Sequence, residues 1–316
     1  MRLVFLGSPP FATPIFDRLL TKTPQHQVVG LVTPPDRPRG RGRAVVRSEL
    51  AAAADAAGIP VIQPASTKNE EFNDALRALN ADVLVVASYG EILRTPVLEM
   101  CQHGALNVHG SLLPRWRGAS PIQRAVAAGD AVTGVSIQRM VLALDAGDVI
   151  LSRELPIGPE DTAADLFDRL ADLGADAIVE ALDTIEAGTA TYTPQDPELV
   201  TLAPKLSKED GRIDFDRSAE EISRHVRAMT TWPGARCTLE DGRDLVVLAA
   251  RPFEGLPDGS PEGSPDGSRS VPSGTRLDDK NALVFSSGDG TLVEFTRVKP
   301  AGKGAMDGAA FLRGLR

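Results

Sequence analysis

The chain is expected to fold as an α/β protein with a Rossmann-like, open, mostly parallel sheet covered by helices on both faces, followed by a small C-terminal β-barrel of OB-like type. Three observations predict this. The first half holds continuous apolar runs separated by helical stretches, as strands buried on both faces require. The last third holds short alternating segments broken by Asp-Gly turn signals. A length of 316 residues is enough for two separate cores. The expected division is an α/β domain over 1–189, a linker over 190–206 and the barrel over 207–316.

In chain order, Leu3-Val4-Phe5-Leu6 reads as the first strand, closed by Gly7-Ser8-Pro9-Pro10, and Thr13 to Leu20 as a helix. Val28 to Val32, Asp82 to Ala87 and the run into His109 supply further strands, with helices over Ser48 to Ala57 and Thr67 to Leu79. Ser120-Pro121 starts another helix, Ser as N-cap and Pro at the first helical position. Gly134 to Met140 alternates as a strand, and Val149-Ile150-Leu151 returns beside it. Asp161 to Ala187 is the clearest helix, with Leu166, Leu170, Leu173, Ala177 and Leu182 along one face and Thr162-x-x-Asp165 as an acidic capping box. Gly188 stops it. Thr191 to Pro204 has linker character. In the second part Ser218-x-x-Glu221 caps a helix running to Met229. Alternating segments follow at Ala235 to Leu239, Asp244 to Ala249, Ala282 to Ser286 and Thr291 to Val298, with a short helix from Asp307. The stretch Pro257 to Ser268 is too rich in Pro, Gly and acidic residues to bury anything and reads as a disordered loop.

Bulk composition narrows the function. Apolar content of 42% and charged content of 24% are those of a globular protein. The two cysteines, Cys101 and Cys237, have no partner spacing, which fits a reducing, cytoplasmic setting. No apolar run is long enough to span a membrane, and no cluster has metal-ligand spacing, so neither membrane nor metal is expected. The net charge of −9 argues against wholesale nucleic-acid binding. Two stretches run against it: Asp36 to Arg47, with Arg37, Arg39, Arg41, Arg43 and Arg47, and the tail from Arg297, with Lys299 and Lys303. Gly7-Ser8-Pro9 lacks the G-x-G-x-x-G spacing, and its prolines remove N–H donors a pyrophosphate would need. Arg39-Gly40-Arg41-Gly42 lacks the Walker Lys-Ser/Thr. A dinucleotide dehydrogenase and a P-loop enzyme are both disfavoured.

Chemistry concentrates at Asn107-Val108-His109-Gly110-Ser111-Leu112-Leu113-Pro114. Residues two apart on a strand share a face, so Asn107 and His109 project together from a strand's C-terminal end, where ligands bind in open α/β sheets. Ser88-Tyr89-Gly90 falls at the same edge. An amide donor beside an imidazole can hold a developing oxyanion and move a proton. Taken alone, such a pair is more often made of ordinary turn residues, and so is Asp145.

The whole string alters that balance. Asn-x-His-x-Ser-Leu-Leu-Pro followed by Gly, with Leu144-Asp145-Ala146-Gly147-Asp148 later, resembles the folate-dependent formyltransferases. Arg115 to Gln123 resembles the branch of that family whose acceptor is a charged tRNA. The resemblance covers almost the whole chain and implies a catalytic trio of Asn107, His109 and Asp145. It implies 10-formyltetrahydrofolate as co-substrate, held around Ser88, Tyr89, Gly90, Ile92, Leu93, Ser111, Leu112, Leu113, Pro114, Leu142 and Leu144. It implies formyl transfer to the α-amino group of methionine on initiator tRNA, in the bacterial cytoplasm, by a monomer. Arg37, Arg39, Arg41 and Arg43 match the family's basic insertion loop, and Lys205, Lys208, Lys299 and Lys303 are the tRNA-side candidates in the second domain. The segment Pro257 to Ser268 departs from the family pattern and looks like an insertion. Rival acceptors are glycinamide ribonucleotide, which would not need the barrel or the arginines, a sugar nucleotide, and water. A non-enzymatic RNA-binding protein would leave the trio idle.

Overall fold

The computed structural model describes residues 1–39, 44–255 and 271–314. The expected loop Pro257 to Ser268, together with Arg41 and Arg43, lies outside them. Two compact units emerge: Met1–Pro121 with Val132–Pro156 and Phe167–Pro204, and Ile122–Ala131 with Ile157–Leu166 and Lys205–Arg316.

The first unit opens with β1 (Arg2–Gly7), α1 (Ala12–Thr21), β2 (Gln27–Val32), β3 (Arg37–Arg39), β4 (Ala44–Val46), α2 (Glu49–Ala56), β5 (Val61–Ile62), α3 (Glu70–Arg77), β6 (Val83–Ala87), α4 (Thr95–Leu98) and β7 (Ala105–His109). Along the chain α5 (Pro121–Ala128) follows, which beyond Pro121 belongs to the second unit; β8 (Val132–Arg139), β9 (Val149–Pro156) and α6 (Ala163–Glu186) return to the first, apart from the opening turn of α6. Seven strands form one sheet in the order β5-β2-β1-β6-β7-β8-β9. The first five pair in parallel, and β8 and β9 run antiparallel. The Rossmann-like expectation therefore holds, with a mixed edge.

Burial explains the layers. α1 buries Ala12, Ile15, Phe16 and Leu19, one helical stripe, and Phe16 meets Phe5 of β1 at 5.2 Å between ring centroids. On that side α6 presents Gly174 to Val108: a Cβ there would lie 2.7 Å from Val108 Cγ1. Val4, Leu6, Leu84 and Val86 pack with Phe72, Leu76, Val97 and Leu98 of α3 and α4. Ser48 caps α2 by accepting from the Ala51 N–H at 3.2 Å, and Asn69 caps α3 in the same way. The pair β3–β4 is a separate two-stranded antiparallel hairpin. The basic segment is thus flanked by strands where a plain loop was expected, because three-residue arms, one containing Pro38, carry no readable alternation.

The second unit contains α7 (Ala219–Ala228), β10 (Ala235–Thr238), β11 (Asp244–Pro252), β12 (Arg276–Leu277), β13 (Val284–Ser286), β14 (Leu292–Pro300), β15 (Met306–Asp307) and α8 (Gly308–Arg313). Its strands form an antiparallel sheet in the order β10-β11-β14-β13-β12, with β15 on β14. Both Asp-Gly pairs turn hairpins, β10–β11 and β13–β14, with Gly242 and Gly290 in the left-handed region that such turns need. Phe215, Phe285 and Phe295 stack together, with centroids 4.7–6.1 Å apart. Among the described residues no helix is long and apolar enough to cross a membrane.

Candidate active site

β7 ends at the C-terminal edge of the parallel strands, and its last residues carry Asn107 and His109. β7 pairs with β6 on one side and β8 on the other, with Asn107 opposite Gln138 and His109 opposite Ser136. His109 is only 5% exposed. Its Nε2 lies 3.0 Å from the main-chain oxygen of Trp116. A carbonyl can only accept, so Nε2–H donates there and Nδ1 faces Asp145. Nδ1 to Asp145 Oδ2 is 3.8 Å, an electrostatic contact and not yet a hydrogen bond.

Asp145 is held from several directions. Its Oδ2 accepts from the Gly118 N–H at 2.8 Å, and its Oδ1 accepts from Gln138 Nε2 at 3.0 Å. Its backbone sits at φ 46°, a left-handed conformation that Asp tolerates better than most residues. Gly147 next door is required sterically, since a Cβ would lie 1.6 Å from the Arg139 carbonyl oxygen. Gly118, at φ 124°, would meet the Ala203 oxygen at 2.5 Å. The chain thus brings His109 beside an aspartate 36 positions further on, while Asn107 lies on the same strand opposite Gln138, which holds that aspartate.

The other candidates divide by exposure. Ser88 and Gly90 are exposed with positive φ at the end of β6. Tyr89 and Leu93 belong to the hydrophobic core beside Val86 and Val97, and burial, helped by the Glu91 carboxylate, pushes the Tyr89 phenol up to about 12. Ile92 is 74% exposed, and Leu142 and Leu144 are each 67% exposed, apolar surface open to a ligand. Ser111 is buried, its hydroxyl donating to the Arg115 carbonyl at 2.6 Å. Leu112 fills the space left by Gly134, where a Cβ would come within 2.6 Å of it. The Leu113 N–H donates to Ser136 Oγ at 3.0 Å, and Pro114 is half-buried beside it. In the second unit Lys205, Lys208, Lys299 and Lys303 are all exposed. Arg37 and Arg39 lie on β3.

Gln138, the Trp116 carbonyl and Gln195 carry no sequence signal for their place in this site. Only strand pairing puts Gln138 opposite Asn107, and Gln195 lies in the segment read as linker. Among the described residues, His26, Asp183 and Glu186 bring three potential ligand atoms within 4.8 Å. That group lies outside the trio, and its histidine is buried and already bonded to Asp183 at 3.0 Å.

A family model described as formyl transferase matches residues 1–182, and one described as formyl transferase, C-terminal domain, matches residues 205–316. A methionyl-tRNA formyltransferase of Anaeromyxobacter dehalogenans strain 2CP-1 is 47% identical over 316 residues, covering 100% of this chain and 97% of that protein. The corresponding protein of Anaeromyxobacter sp. strain K is 46% identical with the same coverage. Among solved structures, an N-formyltransferase from Helicobacter canadensis, in complex with folinic acid and dTDP-3-aminofucose, matches with a TM-score of 0.66 at 16% identity. That match covers 93% of this chain and 98% of that one. HypX from Aquifex aeolicus in complex with tetrahydrofolic acid matches with a TM-score of 0.62 at 19% identity, over 98% of this chain and 46% of that one. These two establish a shared fold.

Proposed function

The chain belongs to the formyl transferase family, and from that membership we propose that it transfers the formyl group of 10-formyltetrahydrofolate to the α-amino group of methionine esterified to initiator tRNA. The observation that carries this reading is the 45–47% identity to methionyl-tRNA formyltransferases along the entire chain, both units included. A sugar-nucleotide acceptor has only fold-level support, at 16% identity.

The chemistry suits the residues. A free α-amine titrates at about 8 and an ester lowers it, so much of the nucleophile is uncharged near neutral pH. Its nitrogen attacks the formyl carbon, a C–N bond forms, and the carbonyl oxygen becomes an oxyanion. The Asn107 amide is the donor for that oxyanion. In the imidazolium form both nitrogens of His109 donate: Nδ1–H toward Asp145, and Nε2–H to the oxyanion. As the oxyanion collapses, the formyl C–N bond to folate breaks and the folate nitrogen takes the Nε2 proton; the attacking nitrogen, now an ammonium, gives its surplus proton back to Nε2, which restores the imidazolium. Nε2–H must exchange its bond to the Trp116 carbonyl for this, and the 3.8 Å gap to Asp145 must close. Catalytic contacts are commonly loose before substrate binds. The exposed Ile92, Leu142 and Leu144, with Ser88, Gly90 and the 111–114 turn, are the proposed folate contacts. The exposed lysines of the second unit and the arginines around residue 40 are the proposed tRNA contacts.

One assay tests the reading: purified protein with formylated folate and Met-charged initiator tRNA, with water and a sugar nucleotide as control acceptors. Asn107→Ala, His109→Ala and Asp145→Ala should each lower turnover by about a hundredfold or more while the protein stays folded. Near wild-type transfer by Asn107→Ala would remove its oxyanion role. Preference for a control acceptor would overturn the substrate.

A further inference from the structure

Residues 183–204 fall between the two family matches, yet part of this segment is bonded to the groups that flank the His109 imidazole. Gln195 commits its whole amide. Its Nε2 donates to the main-chain oxygens of Asp145 at 2.8 Å and Gly147 at 2.7 Å, with a longer contact of 3.4 Å to Gln138 Oε1. Its Oε1 accepts from Arg117 Nε at 3.0 Å and Nη2 at 2.8 Å. An amide has two donors and one oxygen with two lone pairs, so all its capacity is used. Six residues on, Thr201 Oγ1 accepts from the Trp116 N–H at 2.9 Å, and the Thr201 carbonyl accepts from the Arg117 N–H at 2.9 Å. Trp116 supplies the carbonyl at His109 Nε2, and Asp145 supplies the carboxylate at Nδ1. The segment therefore holds one group on each side of the ring.

We infer that Gln195 is a positioning residue for formyl transfer, acting by pinning the loop that presents the Asp145 carboxylate to His109. The need for it is local. Asp145 is held at φ 46°, a conformation that Asp adopts more readily than most residues but still at a backbone cost that its surroundings must offset. The carbonyls of Asp145 and Gly147 are the handles by which Gln195 imposes it, while Gln138 and Gly118 orient the carboxylate itself. Arg117, gripped by the other end of the amide, ties this loop to the segment carrying Trp116. A displacement of about 1 Å in such an arrangement is enough to lower a rate by about a hundredfold. The inference rests on the Asp145 role proposed above.

The test is a double-mutant cycle on the full-length protein. Gln195→Leu removes every hydrogen bond at similar size. Gln195→Glu keeps the two bonds from Arg117 and removes the two donors to the loop. Each is combined with Asp145→Asn, and kcat, KM for both substrates and the thermal midpoint are measured. Both Gln195 variants should lower kcat by about ten- to a hundredfold, with KM for formylated folate within about twofold. In the Asp145→Asn background the further loss should shrink to about twofold or less, because the two residues act as one unit. An undiminished loss in that background would mean that Gln195 supports the fold independently of Asp145, and the inference falls. Wild-type kcat for Gln195→Glu, beside an impaired Asp145→Asn, would overturn this inference alone. Full turnover by Asp145→Asn would overturn both the inference and the Asp145 role beneath it. Should Gln195→Leu fail to fold, Gln195→Glu carries the same cycle.

Discussion

His225 and His109 show how little a histidine's residue type says about its task. His109 is buried and His225 half-buried, yet His109 faces a carboxylate while Nε2 of His225 is buried with no hydrogen-bond partner among the described residues. Burial pushes the His225 imidazole below its ordinary value, and a hydrogen bond with the Gly211 backbone only partly opposes this. The folded protein therefore binds that proton less readily than the unfolded chain does. Stability is fully present above the unfolded value of about 6.5 and is lost as pH falls from there toward the lowered folded value. The thermal midpoint of the wild-type protein should accordingly drop more steeply between pH 7 and pH 5 than that of His225→Gln. Parallel profiles would show that this ring contributes nothing to the pH dependence.

At the scale of elements, what could be read locally is what depends on neighbours in sequence. Ser218 Oγ accepts from the Glu221 N–H at 3.2 Å, and Glu221 Oε2 accepts from the Ser218 N–H at 3.0 Å, the reciprocal cap expected from Ser-x-x-Glu. Thr162 and Asp165 do the same for α6, at 3.0 and 3.2 Å. Ser218→Ala should lower stability by about 1 kcal/mol, read by denaturant titration of the transition that carries α7. An unchanged midpoint would mean the cap is redundant there. Elements too short to show a period were not legible: β5 has two residues, and β3 and β4 have three each. Nor was the packing of 193–203, where Val149 pairs with Thr193 and Arg117 with Leu202. Those bridges join residues more than forty positions apart and leave no trace in local composition.

For the molecule as a whole, a net charge of −9 means that any hold on a polyanion must be local. Arg37 and Arg39 lie on the first arm of the β3–β4 hairpin, and Arg41 and Arg43 follow in sequence before the second arm. Like charges gathered within seven positions repel unless an anion joins them. Arg also matches phosphate with a planar fork of donors. Replacing Arg39, Arg41 and Arg43 with Ala should weaken use of Met-tRNA and leave formylfolate binding intact. The slope of log affinity against log salt should become shallower by about 0.7–0.9 for each phosphate that is no longer neutralised. A salt series on both proteins decides it: coincident slopes and affinities would mean that the hairpin does not touch the tRNA.

By itself the sequence determined the periodic strands and helices, the capping boxes at Ser218 and Thr162, the Asp-Gly hairpins and the Asn107–His109 pair, because each depends on residues a few positions apart. Asp145 was legible through the Leu-Asp-Ala-Gly-Asp string. Its distance from His109 was not, and neither were the groups that fix it. Tertiary structure alone decided that Gln138 reaches Asp145 from the neighbouring strand, that Trp116 offers its carbonyl to the imidazole, and that Gln195 clamps the loop from a segment with no pattern of its own. The physical reason is that a hydrogen bond between distant residues depends on where the backbone carries its donor and acceptor. Any Gln could make such bonds, and only the folded chain selects this one.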